Sequence, residues 1–403
     1  MTMPGPTLRL AGRMKTLAPS PMLKLAAEAA RLRAEGRDII SLATGEPDFD
    51  TPGHVQAAAM AAMRAGDTHY TAADGTPALK QAIMRKFARE NGLTFAQDQV
   101  SVGSGAKQVI FNALAATIEE GDEVLVPVPY YPSYLEMTRM LGGTPVTVEG
   151  NGAQRLTPDA LEAAITPATR WLILNAPGNP SGVSYSRQEL RAFAGVLRNH
   201  PHVWVMADDI YEHLLFSGGF ATIAQVAPDL GDRILTVNGV SKAYCMTGWR
   251  VGYGAGPAPL IRAMATVQSQ IISCPSSVSQ AAAVAALDGP ADVVDQLRAA
   301  FDARRVRVVE ALNRIEGLSC PLPDGAFYVM PDVSAITGRQ TPEGRTLDDD
   351  AAIANWLIGD AGVVVVPGRE FGAPGRFRIS YAADIDALLE ACRRIEASFA
   401  KLL

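Results

Sequence analysis

The stretch RWLILNAPGNPSGVSYSRQELRAFAGVLRNHPHVWVMADD, residues 170–209, places an amphipathic segment between two short apolar runs. The runs RWLILN (170–175) and HVWVMAD (202–208) have the length and the apolar composition of buried β-strands. The intervening segment, SRQELRAFAGVLRNH (186–200), opens with the S-x-x-E pattern of a helix capping box. A strand, a helix and another strand in this order predict two parallel strands joined by a helical crossover.

The same alternation extends over most of the chain on both sides of this unit. Further helical patterns are PALKQAIMRKFAREN (77–91) and AKQVIFNALAATI (106–118). Apolar strands that alternate with helices predict an α/β fold whose mostly parallel sheet is covered on both faces, with functional loops at the carboxyl ends of the strands. The other strand candidates are DIISLA (38–43), QVSVG (99–103), EVLVPV (123–128), RILTVN (233–238) and WRVGYGAG (249–256).

The pattern changes after residue 257, where long helices precede short strands. The segment 291–315 predicts one long amphipathic helix that ends at Gly317, and the polar run 335–350 predicts a loop. The strand candidates of this part are AFYVMPD (326–332), GVVVVPG (362–368) and RFRISYA (376–382), followed by a terminal helix to Leu403.

This change of pattern indicates two units of different architecture. We predict a large domain of residues 46–288, built on the mostly parallel sheet. We expect the N-terminal segment to pack against the C-terminal third of the chain. Residues 1–45 and 289–403 are therefore predicted to form a smaller α+β domain.

Composition and charge exclude several classes of protein. The 403 residues are 48% hydrophobic and 19% charged, as in ordinary globular proteins. The net charge is −6 and the sequence has no dense block of Lys and Arg, and both features argue against nucleic acid as a partner. The longest apolar runs, such as VVVV (363–366), have strand length, so no membrane span is predicted. Four scattered cysteines without a CxxC pair predict neither disulfides nor a metal site, and they fit a reducing cytoplasm.

The segment TVNGVSKAYCMTGWRVGY (236–253) carries the first candidate for chemistry. Lys242 follows a buried β-branched run, where a charge is costly, and Arg250 stands eight positions later. A desolvated lysine loses its proton more easily and can form a Schiff base with an aldehyde, while arginine binds phosphate with fixed geometry. A carboxylate after another strand, such as Asp208 or Asp209, could keep a pyridine nitrogen protonated. Together these groups meet the needs of a pyridoxal phosphate site.

Two other segments follow strands and admit a plain structural interpretation as well. GSGAKQVIFNAL (103–114) opens a helix with a Gly-rich turn, a ready site for phosphate, although it lacks the Walker pattern. NAPGNPSG (175–182) has the composition of a turn. The acids at 208–209 could cap a helix, form a metal pair or place one carboxylate in the cleft, and capping is the plain interpretation. No HExxH or GxSxG is present in the sequence, so metallohydrolase and serine hydrolase hypotheses lack support.

In order along the chain, these motifs resemble the class I/II aminotransferases of fold type I, nearest to the aspartate aminotransferases of the Iβ branch. The resemblance extends from LAPS (17–20) and ATGEPDFDTP (43–52) to the last helix. It implies the fold of a pyridoxal phosphate-dependent transferase and a homodimer with active sites at the subunit interface. It also implies ping-pong transfer of an amino group from an amino acid, with L-aspartate favoured, to 2-oxoglutarate. The motifs are GAKQ, PYYPSY, NAPGNPSG, DDIYEHL, SKAYCMTGWRVGY, GAFYV, VVPGREFG and RISYA.

The resemblance assigns roles to individual residues. Lys242 would form the Schiff base and move the proton at Cα, Asp208 would hold the pyridinium nitrogen, and Tyr211 would donate to the phenolic oxygen of the cofactor. Asp209 stands where the family usually has Glu and would have no catalytic role. The residues implied to bind the cofactor are Tyr70 (from the neighbouring subunit), Gly105, Ala106, Lys107, Tyr131, Asn179, Asp208, Tyr211, Ser241, Lys242 and Arg250.

The substrate site is implied in the same way. Arg378 would grip the α-carboxylate, with Arg376 as a rival. A second cation, Lys107, favours a dicarboxylate because a buried carboxylate needs a paired charge, and with Thr51 it resembles aspartate enzymes that also accept prephenate. The residues implied to bind substrate are Gly45, Lys107, Tyr131, Asn179 and Arg378.

The chain departs from the usual pattern at a few positions, and alternatives remain. Tyr131 stands where relatives have a tryptophan; it can still stack on a ring, but its smaller size would reshape the pocket. Ala207 and GNPSG replace a serine and NNPTG. The alternatives are an aminotransferase for aromatic, neutral or basic amino acids or prephenate, and then a β-lyase. The non-enzyme alternative, a cofactor-sensing domain of a transcription regulator, is disfavoured by the acidic charge.

Overall fold

The computed structural model describes residues 8–403. Residues 1–7, which belong to the predicted segment 1–45, lie outside the described residues. The α-helices are α1 (Pro21–Ala34), α2 (Gly53–Arg64), α3 (Pro77–Lys86), α4 (Ala106–Ala115), α5 (Ser133–Met140), α6 (Pro158–Ala164), α7 (Arg187–Asn199), α8 (Ile223–Val226), α9 (Ala258–Ile271), α10 (Ser277–Asp288), α11 (Asp292–Asn313), α12 (Asp350–Asp360) and α13 (Ile385–Phe399).

The central sheet has seven strands in the order β2-β8-β7-β6-β5-β3-β4. The five strands from β7 to β4 are parallel to their neighbours, whereas β8 runs antiparallel to both β7 and β2. The prediction of a mostly parallel α/β sheet is therefore confirmed. The strands are β2 (Val100–Gly103), β3 (Glu123–Pro127), β4 (Thr144–Val148), β5 (Thr169–Asn175), β6 (Trp204–Asp208), β7 (Ile234–Gly239) and β8 (Gly252–Ala255).

Alternating residues of β5 show why this strand is apolar throughout. Leu172 and Leu174 join a buried cluster with residues of α7, such as Phe193. Trp171 and Ile173 join a different cluster, which contains residues of α4, α5 and α9. Because successive side chains of a strand point to opposite faces, the sheet is covered by helices on both sides.

The strand–helix–strand unit of residues 170–208 forms as predicted. Strands β5 and β6 are parallel, with Leu172 opposite Val205, and α7 connects them. The side chain of Ser186 accepts a hydrogen bond from the backbone N–H of Glu189, whose side chain accepts from the N–H of Ser186, so the capping box is confirmed. One strand, β4, was not predicted, because its partly exposed TPVTV sequence lacks the apolar run of the central strands.

The remaining strands are shorter than predicted. Strand β1 pairs in parallel with β10, and β12 lies between β11 and β9 with antiparallel pairing. Helix α1 contributes Ala29 and Leu32 to a buried cluster with Val364 and Val366, so the N-terminal segment packs against the C-terminal strands. These strands are β1 (Ile40–Ser41), β9 (Tyr328–Val329), β10 (Val363–Val364), β11 (Val366–Pro367) and β12 (Phe377–Ser380).

Helices dominate the stretch between the two groups of strands, as expected. Helix α11 matches the predicted long helix, and Gly317 follows it with φ of 86°. The predicted helix at 77–91 is α3 followed by one π-helical turn, Phe87–Asn91. Within residues 8–403, no helix combines the length and the hydropathy that crossing a membrane requires.

Candidate active site

A cavity of about 340 Å³ lies at the carboxyl ends of β5, β6 and β7. It brings together residues separated by more than three hundred positions, from Ser20 to Arg378. The predicted site residues that line it are Gly45, Ala106, Lys107, Tyr131, Asn179, Asp208, Tyr211, Ser241, Lys242, Arg250 and Arg378.

Lys242 follows β7 and points its amine into this cavity. The Nζ atom donates to the backbone oxygen of Gly45 at 2.7 Å. The pKa of Lys242 is lowered to about 8, chiefly because burial removes water from the ammonium group; Glu46 opposes this shift, and Arg378 and Arg250 reinforce it. An amine with this pKa is neutral far more often near pH 7 than an ordinary lysine, which suits a nucleophile or a proton carrier.

Asp208 is the last residue of β6, and its buried carboxyl group has one oxygen that already accepts a hydrogen bond. Its Oδ2 atom accepts a hydrogen bond of 2.6 Å from the hydroxyl of Tyr134. Burial raises its pKa to about 6, while Tyr134, the N–H of Ile210 and the charge of Lys242 oppose the rise. The Oδ1 atom has only a long contact of 3.4 Å with the N–H of Ile210, so it can still accept from a cationic ring nitrogen.

Tyr211 lies three residues beyond Asp208 and is fully buried. Its hydroxyl is 2.8 Å from the hydroxyl of Tyr328, and the amine of Lys242 lies 6.0 Å from the centroid of its ring. Burial, followed by the effect of Tyr328, raises the pKa of Tyr211 well above its usual value, so the hydroxyl stays protonated and able to donate.

Arg378 of β12 is buried, and two of its guanidinium nitrogens donate hydrogen bonds to neighbouring residues. Its Nη1 atom donates to Oδ1 of Asn179 at 3.1 Å, and its Nη2 atom donates to the backbone oxygen of Ala43. Its Nε atom has no partner among the described residues. A buried cation that keeps a free donor and lines a cavity is suited to an anionic ligand such as a carboxylate.

The start of α4 lies at another edge of the cavity. Gly105 precedes the helix with φ of 91°, a backbone conformation that favours glycine. A Cβ atom at Gly105 would overlap the guanidinium of Arg250, so the close approach of these two residues also requires glycine. Arg250 itself has φ of 57° and donates to the backbone oxygens of Thr247 and Ser104. The unpaired N–H groups at the helix start and this arginine can receive a phosphate together.

Lys107 stands one position into α4 and is exposed on the cavity wall. Its Nζ atom lies 5.2 Å from the centroid of the Tyr131 ring, a cation–π contact. The Tyr131 ring also makes an edge-to-face contact with Tyr134, with centroids 5.6 Å apart. The structure thus brings together the predicted second cation and the tyrosine that replaces the usual tryptophan.

Three residues that the sequence analysis related to the site, Gly105, Tyr70 and Thr51, do not line the cavity. Gly105 is not among the lining residues but packs against Arg250, which is, and Tyr70 is 89% exposed on this chain. The hydroxyl of Thr51 donates to the backbone oxygen of Cys245 and accepts from the indole of Trp249.

The rival arginine and the second acid are also separated from the cavity. Arg376 forms an ion pair of 3.3 Å with Asp332, so Arg378 is the arginine of this pair that lines the cavity. Asp209 is buried outside it, and burial raises the pKa of Asp209 to about 7. Asp208 lines the cavity and Asp209 does not.

Comparison with known proteins places this geometry in a family. The model of the family described as aminotransferase class I and II matches residues 37–395. The chain belongs to the class I and II aminotransferases. Such an enzyme exchanges an amino group between an amino acid and a 2-oxo acid.

The aminotransferase is similar to curated relatives over nearly its whole length. It is 52% identical over 396 residues to the aspartate/prephenate aminotransferase of Cereibacter sphaeroides, with 98% of this chain and 99% of the relative covered. It is 50% identical over 395 residues to the aspartate aminotransferase of Rhizobium meliloti, with 97% and 96% covered.

Solved structures agree with the curated relatives. The crystal structure of the Rhizobium meliloti aspartate aminotransferase has a TM-score of 0.96 and 49% identity, with 98% of this chain and 100% of that chain covered. The Thermus thermophilus aspartate aminotransferase with maleate has a TM-score of 0.91 and 39% identity, with 97% and 100% covered. The predicted fold of a type I transferase is confirmed.

The sequence did not single out several residues that line the cavity of the aminotransferase. Tyr134 and Tyr328 contact predicted site residues directly, but they stand 74 and 117 positions away from them along the chain. Tyr134 lies in PYYPSY and Tyr328 in GAFYV, two of the motifs that carry the family resemblance, and membership of these motifs could have indicated both residues. The other lining residues that were missed are Ser20, Met22, Leu23, Ile110, Met137, Asn175, Ile210 and Thr247.

A buried charged cluster lies behind the Asp208–Tyr211 turn of the aminotransferase. Lys86, with 0% side-chain exposure, forms an ion pair with Glu212 and donates to Oδ1 of Asn91 at 2.8 Å. Asn91 donates in turn to Glu212 at 2.8 Å. Burial lowers the pKa of Lys86 to about 8, and Glu90, 3.5 Å away, opposes this.

His213 completes this cluster on its outer side. Its Nε2 atom lies 2.8 Å from Glu90, and burial lowers its pKa. Burial alone would raise the pKa of Glu90, but His213 and Lys86 hold it at about 2. The ligand atoms of Glu90, Glu212 and His213 lie within 4.8 Å of one another, a spacing that suits a cation, and the ammonium of Lys86 already supplies that cation for both carboxylates.

Proposed function

We propose that this aminotransferase uses pyridoxal phosphate to transfer the amino group of L-aspartate to 2-oxoglutarate in a ping-pong reaction. The observation that supports the cofactor is the single cavity shared by Lys242, Asp208, Tyr211 and Arg250. Relatives of about half identical sequence, named aspartate and aspartate/prephenate aminotransferases, support the substrate.

The residues present fit the cofactor at each of its polar groups. Arg250 and the N–H groups of Ala106 and Lys107 would hold the phosphate, with Ser241 beside them. The uncommitted Oδ1 of Asp208 would accept from the pyridinium nitrogen.

The rest of the ring has partners in the same cavity. Tyr211 and Asn179 would approach the phenolic oxygen, Tyr131 would stack on the ring, and Lys242 would hold the cofactor covalently through its amine. Bound there, the cofactor supplies a cationic ring that accepts the electron pair released when the Cα–H bond of the substrate breaks.

The chain's own groups then account for the proton movement. Arg378 orients the substrate by its α-carboxylate, aided by the backbone at Gly45, and this fixes the Cα–H bond relative to Lys242. The amine of Lys242, freed when the substrate amino group takes its place on the aldehyde carbon of the cofactor, would take the proton from Cα and deliver it to that carbon. Asp208, kept anionic by its hydrogen bonds and by Lys242, holds the ring nitrogen protonated throughout.

A dicarboxylate fits the charge distribution of the cavity. Arg378 and Lys107 are two cations on its wall, one for each carboxylate of aspartate or 2-oxoglutarate. The Thermus thermophilus relative was solved with maleate, which is also a dicarboxylate. The relative from Cereibacter sphaeroides is named for prephenate as well as aspartate, so prephenate is the second candidate substrate.

Replacement of Lys107 with serine is expected to reduce kcat/KM for L-aspartate by about 10–100-fold, because a charged hydrogen bond to the distal carboxylate is lost. The kcat/KM for L-alanine and L-phenylalanine should change less than about threefold, since neither has a distal carboxylate. The measurement is a panel of amino donors with 2-oxoglutarate, and of prephenate with L-aspartate, for the wild type and the variant.

A matched control is Lys401→Ser, which removes an exposed lysine that pairs with Asp360 and does not line the cavity. It should leave every member of the panel unchanged. Equal losses for aspartate, alanine and phenylalanine in Lys107→Ser would contradict the distal-carboxylate role. A wild type that prefers aromatic or basic donors over aspartate would contradict the proposed substrate.

We further propose a homodimer in which Tyr70 reaches the cofactor phosphate of the neighbouring subunit. The 89% exposure of this tyrosine on an isolated chain supports the proposal, because a second subunit would cover it. The expected solution mass is that of two chains. Tyr70→Phe should weaken pyridoxal phosphate binding by about tenfold without changing the mass. A mass of one chain, or unchanged cofactor affinity, would argue against this arrangement.

We also propose a division into two domains and a cytoplasmic location. The division into residues 46–288 and residues 1–45 with 289–403 is supported by the packing of α1 on the C-terminal strands. A cytoplasmic location is supported by four free cysteines, which suit a reducing compartment.

A further inference from the structure

Tyr328 joins two parts of the site, the hydroxyl of Tyr211 and the guanidinium of Arg378. Its own hydroxyl lies 2.8 Å from that of Tyr211, and the two rings pack edge to face with centroids 5.8 Å apart. The Cζ atom of Arg378 lies 4.8 Å from the centroid of the Tyr328 ring. Tyr328 is 1% exposed, so both contacts are shielded from water, which strengthens them.

The strand register explains how one tyrosine reaches Arg378. In the antiparallel pairing of β9 with β12, Tyr328 lies opposite Ser380. Arg378 is two residues before Ser380, so it lies on the same face of β12 and diagonal to Tyr328. A second ring, Phe371, lies 5.0 Å from the Arg378 Cζ atom. Contacts with two aromatic rings restrict the orientation of the guanidinium.

Gly45 fixes the position of the Tyr328 hydroxyl. A Cβ atom at Gly45 would overlap this hydroxyl, so the backbone of Gly45 packs directly against one side of the Tyr328 hydroxyl. The backbone oxygen of Gly45 is also the acceptor for the Lys242 amine at 2.7 Å. The Tyr328 hydroxyl is therefore confined between the segment that holds Lys242 and the hydroxyl of Tyr211.

We propose that Tyr328 is a positioning residue that aims the Tyr211 hydroxyl at the cofactor and the Arg378 guanidinium at the substrate carboxylate. The inference rests on the proposed function, in which Tyr211 donates to the phenolic oxygen. When Tyr211 donates outward, its oxygen accepts from Tyr328, and the second hydrogen bond strengthens the first. The hydroxyl and the ring of Tyr328 thus serve two different partners.

Charged and titratable groups face this pair of hydroxyls from each neighbouring element. They are Asp208 of β6, Lys242 after β7, Arg378 of β12 and Tyr131 before α5. All four remain in the variants below, so a shift in a pH profile reports the group removed from position 328.

Two substitutions separate the hydroxyl from the ring in the holoenzyme. Tyr328→Phe should raise the pH midpoint of the visible absorption of bound pyridoxal phosphate by about 0.5–1 unit, because a weaker donor leaves more negative charge on the phenolic oxygen. Its dissociation constant for maleate should stay within about twofold, because the ring on Arg378 remains. Tyr328→Leu should show the same shift and bind maleate about tenfold more weakly.

The control is Tyr381→Phe, which removes a buried hydroxyl that donates to the backbone oxygen of Ala326 at 3.0 Å outside the cavity. It should change neither the midpoint nor maleate binding. The proposal is overturned if both Tyr328 variants behave as the wild type, or if the control shifts the midpoint equally. It is also overturned if maleate binding weakens as much in Tyr328→Phe as in Tyr328→Leu.

Failure of the proposed function has a different signature. In that case the wild type itself would show no visible absorption band after incubation with pyridoxal phosphate, and the inference would fall with it. A normal wild-type band with unchanged Tyr328 variants would overturn the inference alone.

Discussion

Replacing Lys242 with alanine is expected to lower kcat for L-aspartate by at least about 10⁴-fold, because the variant loses both the covalent hold on the cofactor and the base at Cα. No neighbouring group can substitute for it. Asp208 is committed to Tyr134 and to the ring nitrogen, and the Tyr211 hydroxyl has a pKa well above its usual value. The measurement is formation of oxaloacetate, together with mass spectrometry after borohydride reduction, which should label residue 242 in the wild type only.

Lys242→Arg provides a control for charge alone. A guanidinium keeps the positive charge in the cavity but does not lose its proton near neutral pH. It should therefore be as inactive as the alanine variant, although Arg378 and Lys107 remain to bind the substrate. Activity or borohydride labelling in either variant would show that another residue carries the chemistry.

The second large effect concerns stability, and it comes from Lys86. Lys86→Met is expected to reduce the free energy of unfolding by about 3–5 kcal/mol, because Glu212 would remain buried without its cation. Methionine keeps most of the apolar length, so the loss reflects charge rather than a cavity. In a thermal unfolding experiment the midpoint should fall by roughly 4–6 °C for a chain of this length.

A double variant tests this explanation. Adding Glu212→Gln to Lys86→Met removes the uncompensated carboxylate and should recover part of the lost stability. Arg198→Met, which breaks the exposed ion pair with Asp229, should move the midpoint little, since surface pairs contribute little. If the double variant is less stable than Lys86→Met, the unpaired charge of Glu212 is not the cause.

The central sheet was predictable because its signal is local. The runs 170–175 and 202–208 are apolar on both faces, and the capping box marks the helix between them. Strand β4 escaped prediction for a physical reason: it lies at the edge of the sheet, is partly exposed and contains Pro145, so its sequence lacks a buried run.

The site was predictable only where a residue carries its own chemical signal. A lysine after a buried strand and an arginine near it attract attention by their charge. Tyr134 and Lys86 do not, because a tyrosine or a lysine on an amphipathic helix usually means packing or a solvated face. Their roles depend on contacts with Asp208 and Glu212, 74 and 126 positions away, which no local pattern encodes.

The cavity is lined by Ser20 at one end of the chain and by Arg378 near the other. A fragment must therefore span at least residues 20–378 to contain every lining residue. The central sheet alone would retain Lys242 and Asp208 but lose the grip on the substrate. Truncation beyond Ser20 or before Arg378 removes part of the cavity wall, so an active version of this enzyme needs nearly the whole chain.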